Sequence, residues 1–545
     1  MSGSPGGLPS GKRNEAGDGG TRRGAQGARA RAHRMAGPAA VAAAFTVAQL
    51  VLAVPGVGLG WDETVYVSQV SDQAPAAFFS APRARGITFL VAPVTAVTAS
   101  TVALRVYLAL LSGGGLFVAL WAWRRLLPPA VLAVAGALFC SLWITVFYGP
   151  QVMPNLWVAL AALAAVGCFL RALRFPGDRW ALPGLGAGVA FAALMRPTDA
   201  VWLVLPLTGA ALLMVRRQRR AGRRAWPLWA VPAAGAALGC AVWVVEAYTR
   251  YGGLGARLRR ASEIQGHLGW HVAVDDHLRA LGGRTLCRPC DVPWAYPVAS
   301  VWLLALPLLV AAGVLAAWRT RHRREIVVAT AVGSSLAVPY LFTVDYAAPR
   351  FLLPAYALLV LPVALAIVRA CRSGTRWRPS VVVLVAVAVT AHLAVQYRLL
   401  DGVVNRVRLD TIAFADVARE LRVEGVRPPC VVTGEEAIRV AFRTGCASRQ
   451  PSGHDASITP GALASTALRR PVVVLLSGDR RPPSYARHWR VLRLPELRAR
   501  TGYRAYLSPT AIREGPSSQR RSNGSQERYG AAPVTRLGET EPRTR

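Results

Sequence analysis

Two acidic residues stand side by side where the chain leaves its first apolar run, in Gly60-Trp61-Asp62-Glu63-Thr64-Val65-Tyr66. Ionisable groups this close to a bilayer are costly to place and are usually functional. A carboxylate here can take a proton from a weakly nucleophilic hydroxyl as it attacks, which is general-base chemistry. The structural alternative is a cap, with Asp62 or Thr64 holding a juxtamembrane helix. The cations that would face such a site are arginines: Arg83 and Arg85 in the same loop, and Arg196 and Arg350 at the ends of later apolar runs. A guanidinium stays charged and offers a fork of donors suited to phosphate. Its structural alternative is snorkelling to the interface.

Those residues need a membrane scaffold to position them. Of 545 residues, 53% are hydrophobic and 17% charged, well below the quarter or so typical of soluble domains. The net charge of +36 comes from arginine clusters between long apolar runs, a membrane pattern rather than a nucleic-acid one. The sole lysine is Lys12, which excludes Schiff-base chemistry in the folded body. About eleven runs approach the ~20 apolar residues of a spanning helix, near 36–58, 101–122, 128–147, 154–172, 180–195, 199–215, 226–247, 294–317, 325–343, 350–369 and 379–398. The expected fold is an all-α polytopic membrane protein with a small C-terminal α/β domain outside the membrane.

The clusters Arg124-Arg125, Arg171 to Arg179, Arg216 to Arg224, Arg319 to Arg324 and Arg369 to Arg378 fall on one side with the basic N-terminal tail. The positive-inside rule makes that side cytoplasmic, and an odd number of spans puts the C-terminal region outside. Four segments follow: a disordered basic tail over 1–35, a multi-spanning body over 36–398, an extracytoplasmic α/β domain over 399–510, and a disordered tail over 511–545. In the third, Asp410 to Leu421 reads as an amphipathic helix, Glu435 to Phe442 as a helix, and Cys430–Val432, Val472–Leu476 and Trp489–Leu494 as strands.

Four cysteines fall outside on this topology, where disulfides persist. Cys430 and Cys446 are expected to pair, and Cys287 and Cys290 to clamp a loop. A thioredoxin-type role for the latter lacks its βαβ setting. His267, His271 and Asp275 share a face if their segment is helical, which would suit a metal or an acceptor. The same segment also reads as an amphipathic helix lying on the membrane, with Trp270 at the interface.

The element D-E-T-x-Y directly after the first span resembles the GT-C membrane glycosyltransferases, in particular the protein O-mannosyltransferase and aminoarabinose-transferase branch. Leu194-Met195-Arg196-Pro197-Thr198, with Gly186 and Gly188 upstream, and Pro349-Arg350-Phe351-Leu352-Leu353-Pro354 resemble two further family segments. The resemblance implies transfer of a sugar from a polyprenyl-phosphate donor to an extracytoplasmic glycan, lipid or protein acceptor in a bacterial cell envelope. It assigns the base to Asp62 with Glu63 adjacent. For the donor phosphate the candidates are Arg350 and Arg196, at the external ends of spans, and then Arg83 and Arg85 in the first loop, while Tyr66, His267 and His271 are candidates for acceptor or substrate contact. Asp62 and Glu63 with phosphate oxygens would suit Mg²⁺ or Mn²⁺. Ser80 to Gly86 departs from the family pattern of His or Lys with Pro-Pro and aromatics. Two other readings are a membrane transporter, against which the lack of internal repeats counts, and an inactive GT-C-like envelope assembly protein.

Overall fold

The computed structural model describes residues 35–220, 224–372, 374, 376–498 and 501–511. The two tails read as disordered, apart from Met35 and Ala511, and the side chains of Arg216 to Arg223 lie outside the described residues.

Among the described residues, nine helices are long and apolar enough to cross a membrane. They are α1 (Met35–Ala53), α4 (Thr101–Ala122), α7 (Pro154–Arg174), α9 (Pro197–Arg220), α10 (Pro227–Arg250), α13 (Val301–Trp318), α14 (Arg323–Phe342), α15 (Leu353–Arg372) and α16 (Arg378–Val423). The runs expected near 128–147 and 180–195 are shorter. The first breaks at Leu142, whose extended backbone separates α5 (Pro129–Ser141) from α6 (Trp143–Tyr148). The second is the 15-residue α8 (Ala181–Met195). The chain is a multi-pass membrane protein. α7 and α15 are buried along most of their length, whereas Leu213, Leu238, Leu308, Leu315, Leu384 and Val387 of the outer helices stay exposed, as a lipid-facing surface requires.

Small residues set the closest helix contacts. A Cβ on Gly235 would stand 2.6 Å from the Gly186 carbonyl oxygen, and one on Gly239 would stand 2.2 Å from that of Ala190. α8 and α10 therefore touch backbone to backbone. A Cβ on Gly86 would lie 2.6 Å from the Leu194 carbonyl oxygen. This seats the start of α3 (Gly86–Thr95) against the end of α8, just before Arg196.

Two faces emerge from the loop contacts. On one, Asp178 binds Arg171 at 2.6 Å and lies 3.4 Å from Arg125, while Arg174 pairs with Glu325. On the other, the loops after α1, α6, α10 and α14 meet each other and the C-terminal region.

α16 runs unbroken for 46 residues from its apolar half into the folded sheet domain, absorbing the separate helix expected at Asp410 to Leu421. Gly402 is the only Gly or Pro between 399 and 423, so no strong breaker interrupts the rod. Five strands follow: β1 (Val431–Gly434), β2 (Ala447–Ser448), β3 (Val472–Leu476), β4 (Arg490–Arg493) and β5 (Arg504–Leu507), in the order β2-β1-β3-β5-β4. β1 pairs in parallel with β2 and β3, with Val431 opposite Val472. β5 is antiparallel to β3 and β4. α17 (Ala437–Thr444) covers β1, and a Cys430–Cys446 disulfide joins the start of β1 to the end of α17. Cys287 and Cys290 are also joined, in the loop before α13.

Candidate active site

Gly60 starts the short helix α2 (Trp61–Val67). The Glu63 carboxylate accepts the Gly60 N–H at 2.8 Å, and Thr64 Oγ1 donates to the Gly60 carbonyl at 2.8 Å. Successive helical side chains diverge by about 100°, so the two adjacent acids face different surroundings.

Asp62 faces outward, with a third of its side chain exposed. Arg83 Nη2 donates to its Oδ1 at 2.7 Å, and Arg350 Nη2 to its Oδ2 at 3.1 Å. Burial pushes the Asp62 carboxyl up, but Arg83 and Arg350 outweigh it and hold it below the ordinary carboxylate range. Burial opposes the charge on Arg83 too, yet Asp62 and Tyr66 leave it more firmly protonated than usual.

Each arginine is itself held. Arg83 Nε donates to Ser80 Oγ at 3.0 Å, and its guanidinium lies over the rings of Trp61 and Tyr66. Tyr66 is buried, edge-on to Phe79, so it supports Arg83 from beneath. Arg350 sits on the turn Pro349–Leu352, donating to the Thr285 carbonyl at 2.9 Å and the Tyr148 hydroxyl at 3.4 Å. Its guanidinium lies over Phe351, as does that of Arg196. Arg196 thus reaches the same ring while pairing with Asp199 at 3.2 Å. Asp199 also accepts the Tyr340 hydroxyl.

Glu63 points into the body and is 4% exposed. Arg105, fully buried on α4, grips both its oxygens and also donates to the carbonyls of Gly58 at 2.6 Å and Pro150 at 2.9 Å. The Val152 N–H donates to the same carboxylate at 2.7 Å. Glu63 therefore ties the start of α2, α4 and the turn after α6 together, on a different side of α2 from Asp62. A divalent metal does not fit this pair: every Glu63 oxygen is already bonded, and Asp62 lies between two guanidinium groups. No group of three or more His, Cys, Asp or Glu that could hold a metal occurs among the described residues.

Arg85 is likewise a strut rather than a rim residue. It donates to Glu246 at 2.8 Å and Gln69 at 3.0 Å and stacks on Phe79. His267 and His271 form no hydrogen bond or ion pair with Asp62, and their segment is not helical. Residues 269, 271 and 273 instead donate from backbone N–H to the carbonyls of Thr343, Phe342 and Leu341 at the end of α14. His271 meets Asp276 at 3.5 Å. α12 (Val274–Ala280) begins only afterwards, and buries His277, whose imidazole burial pushes down to about 4.

The sequence reading missed four contributors. Arg105 had a signal, being an arginine inside an apolar run. Arg257 on α11 (Leu254–Ile264) is fully buried and donates to the carbonyls of Ala81 at 3.0 Å and Arg83 at 2.9 Å, fixing the loop that presents Arg83. It lay unmarked in a basic stretch. Tyr148 supports Arg350. Asp455, between β2 and α18 (Pro460–Ala467), is near enough for its charge to act on Arg83 and Asp62. Burial holds its carboxyl above the ordinary range. Nothing in its local sequence marks it.

No family model matches the sequence, and no curated protein matches it. Solved structures do. ArnT from Cupriavidus metallidurans bound to undecaprenyl phosphate superposes with a TM-score of 0.61 at 11% identity, over 87% of this chain and 98% of that one. The same enzyme in the apo state gives 0.57 at 13% identity, with the same coverage. The archaeal oligosaccharyltransferase AglB from Archaeoglobus fulgidus, in complex with an inhibitory peptide and a dolichol-phosphate, gives 0.48 at 12% identity, over 80% of this chain and 69% of that one. At such identities the likeness is one of fold, and the fold is that of ArnT.

Proposed function

We propose that this chain is an integral membrane glycosyltransferase that moves a sugar from a polyprenyl-phosphate donor to an extracytoplasmic acceptor. The observation that carries the reading is Asp62, ionised and partly open, bracketed by Arg83 and Arg350 within the fold of a transferase solved with undecaprenyl phosphate.

The bracket suggests how donor binding and base activation are linked. Arg83 and Arg350 spend their charge on Asp62 when no other anion is present. A donor phosphate, with more charge and more acceptor oxygens, competes for the same forks. As they turn to the phosphate, Asp62 loses the partners that depress its pKa and becomes a stronger base. It then takes the proton of the acceptor hydroxyl while that oxygen attacks the anomeric carbon. The bond from that carbon to the phosphate oxygen breaks, and polyprenyl phosphate leaves with the electron pair, stabilised by the guanidinium groups. Arg196, sharing Phe351 with Arg350, is the third cation for this phosphate. In this reading the face bearing Asp62 and the sheet domain is extracytoplasmic and the Asp178 face cytoplasmic, as the arginine bias favours.

The test is transfer from a panel of undecaprenyl-phosphate sugars by the full chain in lipid nanodiscs, with envelope glycolipids of a deletion strain as acceptors. The expected outcome is transfer of one sugar, abolished by Asp62→Asn. Undiminished transfer by Asp62→Asn would remove that residue from the base role.

A further inference from the structure

A second basic site stands behind α2. A cavity of about 470 Å³ opens between the first loop, the upper part of α16 and α17. Leu59, Thr64, Gln73 and Thr101 line it from the membrane body, and Ala415 and Ala418 leave room on α16. Facing them are Arg422, Arg439 and Arg443, and the lining contains no carboxylate.

The three guanidinium groups are assembled rather than splayed. Arg422 Nη1 donates to the Arg443 backbone carbonyl at 2.9 Å, which couples α16 to the end of α17. Arg439 stacks on Phe414 and lies 3.5 Å from Glu436, the carboxylate nearest to it in the ion-pair network. Arg443 forms no ion pair among the described residues. Its Nη2 packs so closely on the Gly58 backbone that a Cβ there would come within 2.8 Å. Burial, and the like charge of Arg439, pull the Arg443 guanidinium below its ordinary pKa. Of the two, Arg439 is already paired with Glu436, whereas Arg443 sits half-buried beside that like charge with no carboxylate paired to it among the described residues.

We propose that this cleft binds a phosphate monoester carried by a water-phase molecule. A nearly dianionic group with three acceptor oxygens matches three arginines better than a single carboxylate does, and the volume admits a sugar phosphate. The position favours a water-phase molecule over a bilayer phospholipid. Thr101, the first residue of a spanning helix, sets the floor of the cleft at the bilayer surface, while Ala415 lies roughly 55 Å along α16 from Arg378 at 1.5 Å per residue, beyond a hydrocarbon core about 30 Å thick. Arg439 also acts on the Asp62 charge, so an anion here would be felt at the first site. The proposal does not depend on the transfer reaction.

The experiment is calorimetric titration of the full chain in phosphatidylcholine nanodiscs with glucose 6-phosphate, inorganic phosphate and glucose. Both phosphates should bind and compete, and glucose should not. The double variant R439Q/R443Q should weaken binding at least tenfold. Ala415→Glu, which supplies a carboxylate from within, should do the same while keeping the wild-type gel-filtration profile. Arg350→Gln should leave the affinity unchanged, which separates this site from the Asp62 centre. Unchanged binding in R439Q/R443Q and in Ala415→Glu overturns the proposal. So does its loss in Arg350→Gln, or heat on adding phosphatidic acid to the bilayer but none with either soluble phosphate.

Discussion

Asp62 keeps a third of its side chain open and shares two arginines with the space in front of it. Glu63, one residue on, is sealed against a fully buried arginine and two backbone N–H groups. The same charge at successive positions thus does two jobs. In the proposed reaction one acid is exchanged, an incoming anion replacing it on Arg83 and Arg350. The other is a fastener, because no ligand reaches Arg105 without the loops coming apart. Functional chemistry needs the first environment and positioning needs the second, and a short helix separates them by rotation alone.

Breaking the fastener should have the largest effect. Arg105→Leu strands a buried carboxylate, and loss of one partner of such a pair costs about 3–5 kcal/mol. Thermal unfolding in detergent should show a collapse of stability, partly recovered when Glu63→Gln is added. Equal stability of Arg105→Leu and wild type would contradict the fastener role. Asp62→Asn should behave oppositely, losing far less stability than Arg105→Leu while transfer falls about 10²–10⁴-fold, the usual worth of a general base.

Exchangeability also has a pH signature. A carboxyl depressed in the folded protein contributes stability above its unfolded pKa, and loses it as pH falls through the folded one. The ion pairs of Asp62 should therefore persist at neutral pH and fail only below the ordinary carboxylate range, about 3.9 for Asp. In Arg350→Gln that acid limb should move upward, read from carboxyl titration or stability between pH 3 and 6. A limb that stays in place would detach Arg350 from Asp62. Arg257→Gln should give a smaller effect, loosening the Ala81 and Arg83 carbonyls and raising the donor KM more than it lowers kcat. The smallest is expected from His271→Ala, which should leave transfer within twofold of wild type, since His271 pairs with the partly buried Asp276 and with neither Arg83 nor Arg350.

The helical body was legible because apolar length needs no tertiary context, and Asp62 was legible because a carboxylate beside a span is conspicuous. Leu142 was not, since a break in an apolar run without Gly or Pro leaves no local mark. Glu63 and Asp62 could not be told apart, because their roles depend on which way α2 is rotated, and that is set by Arg105 forty-two positions later. Arg257 and Asp455 reach the first loop from distant elements through backbone carbonyls and through space. Such contacts have no period in sequence. The histidines at 267 and 271 share a face only on a helix, and backbone pairing to 341–343 holds their segment in another conformation.

The central claim is that Asp62 and a donor phosphate compete for Arg83 and Arg350. Binding of undecaprenyl phosphate to the purified chain, compared between wild type, Asp62→Asn and Arg350→Gln, tests it most directly. The account predicts tighter binding for Asp62→Asn, because its guanidinium groups are released, and at least tenfold weaker binding for Arg350→Gln. Weaker binding in both, or no change in either, would contradict it.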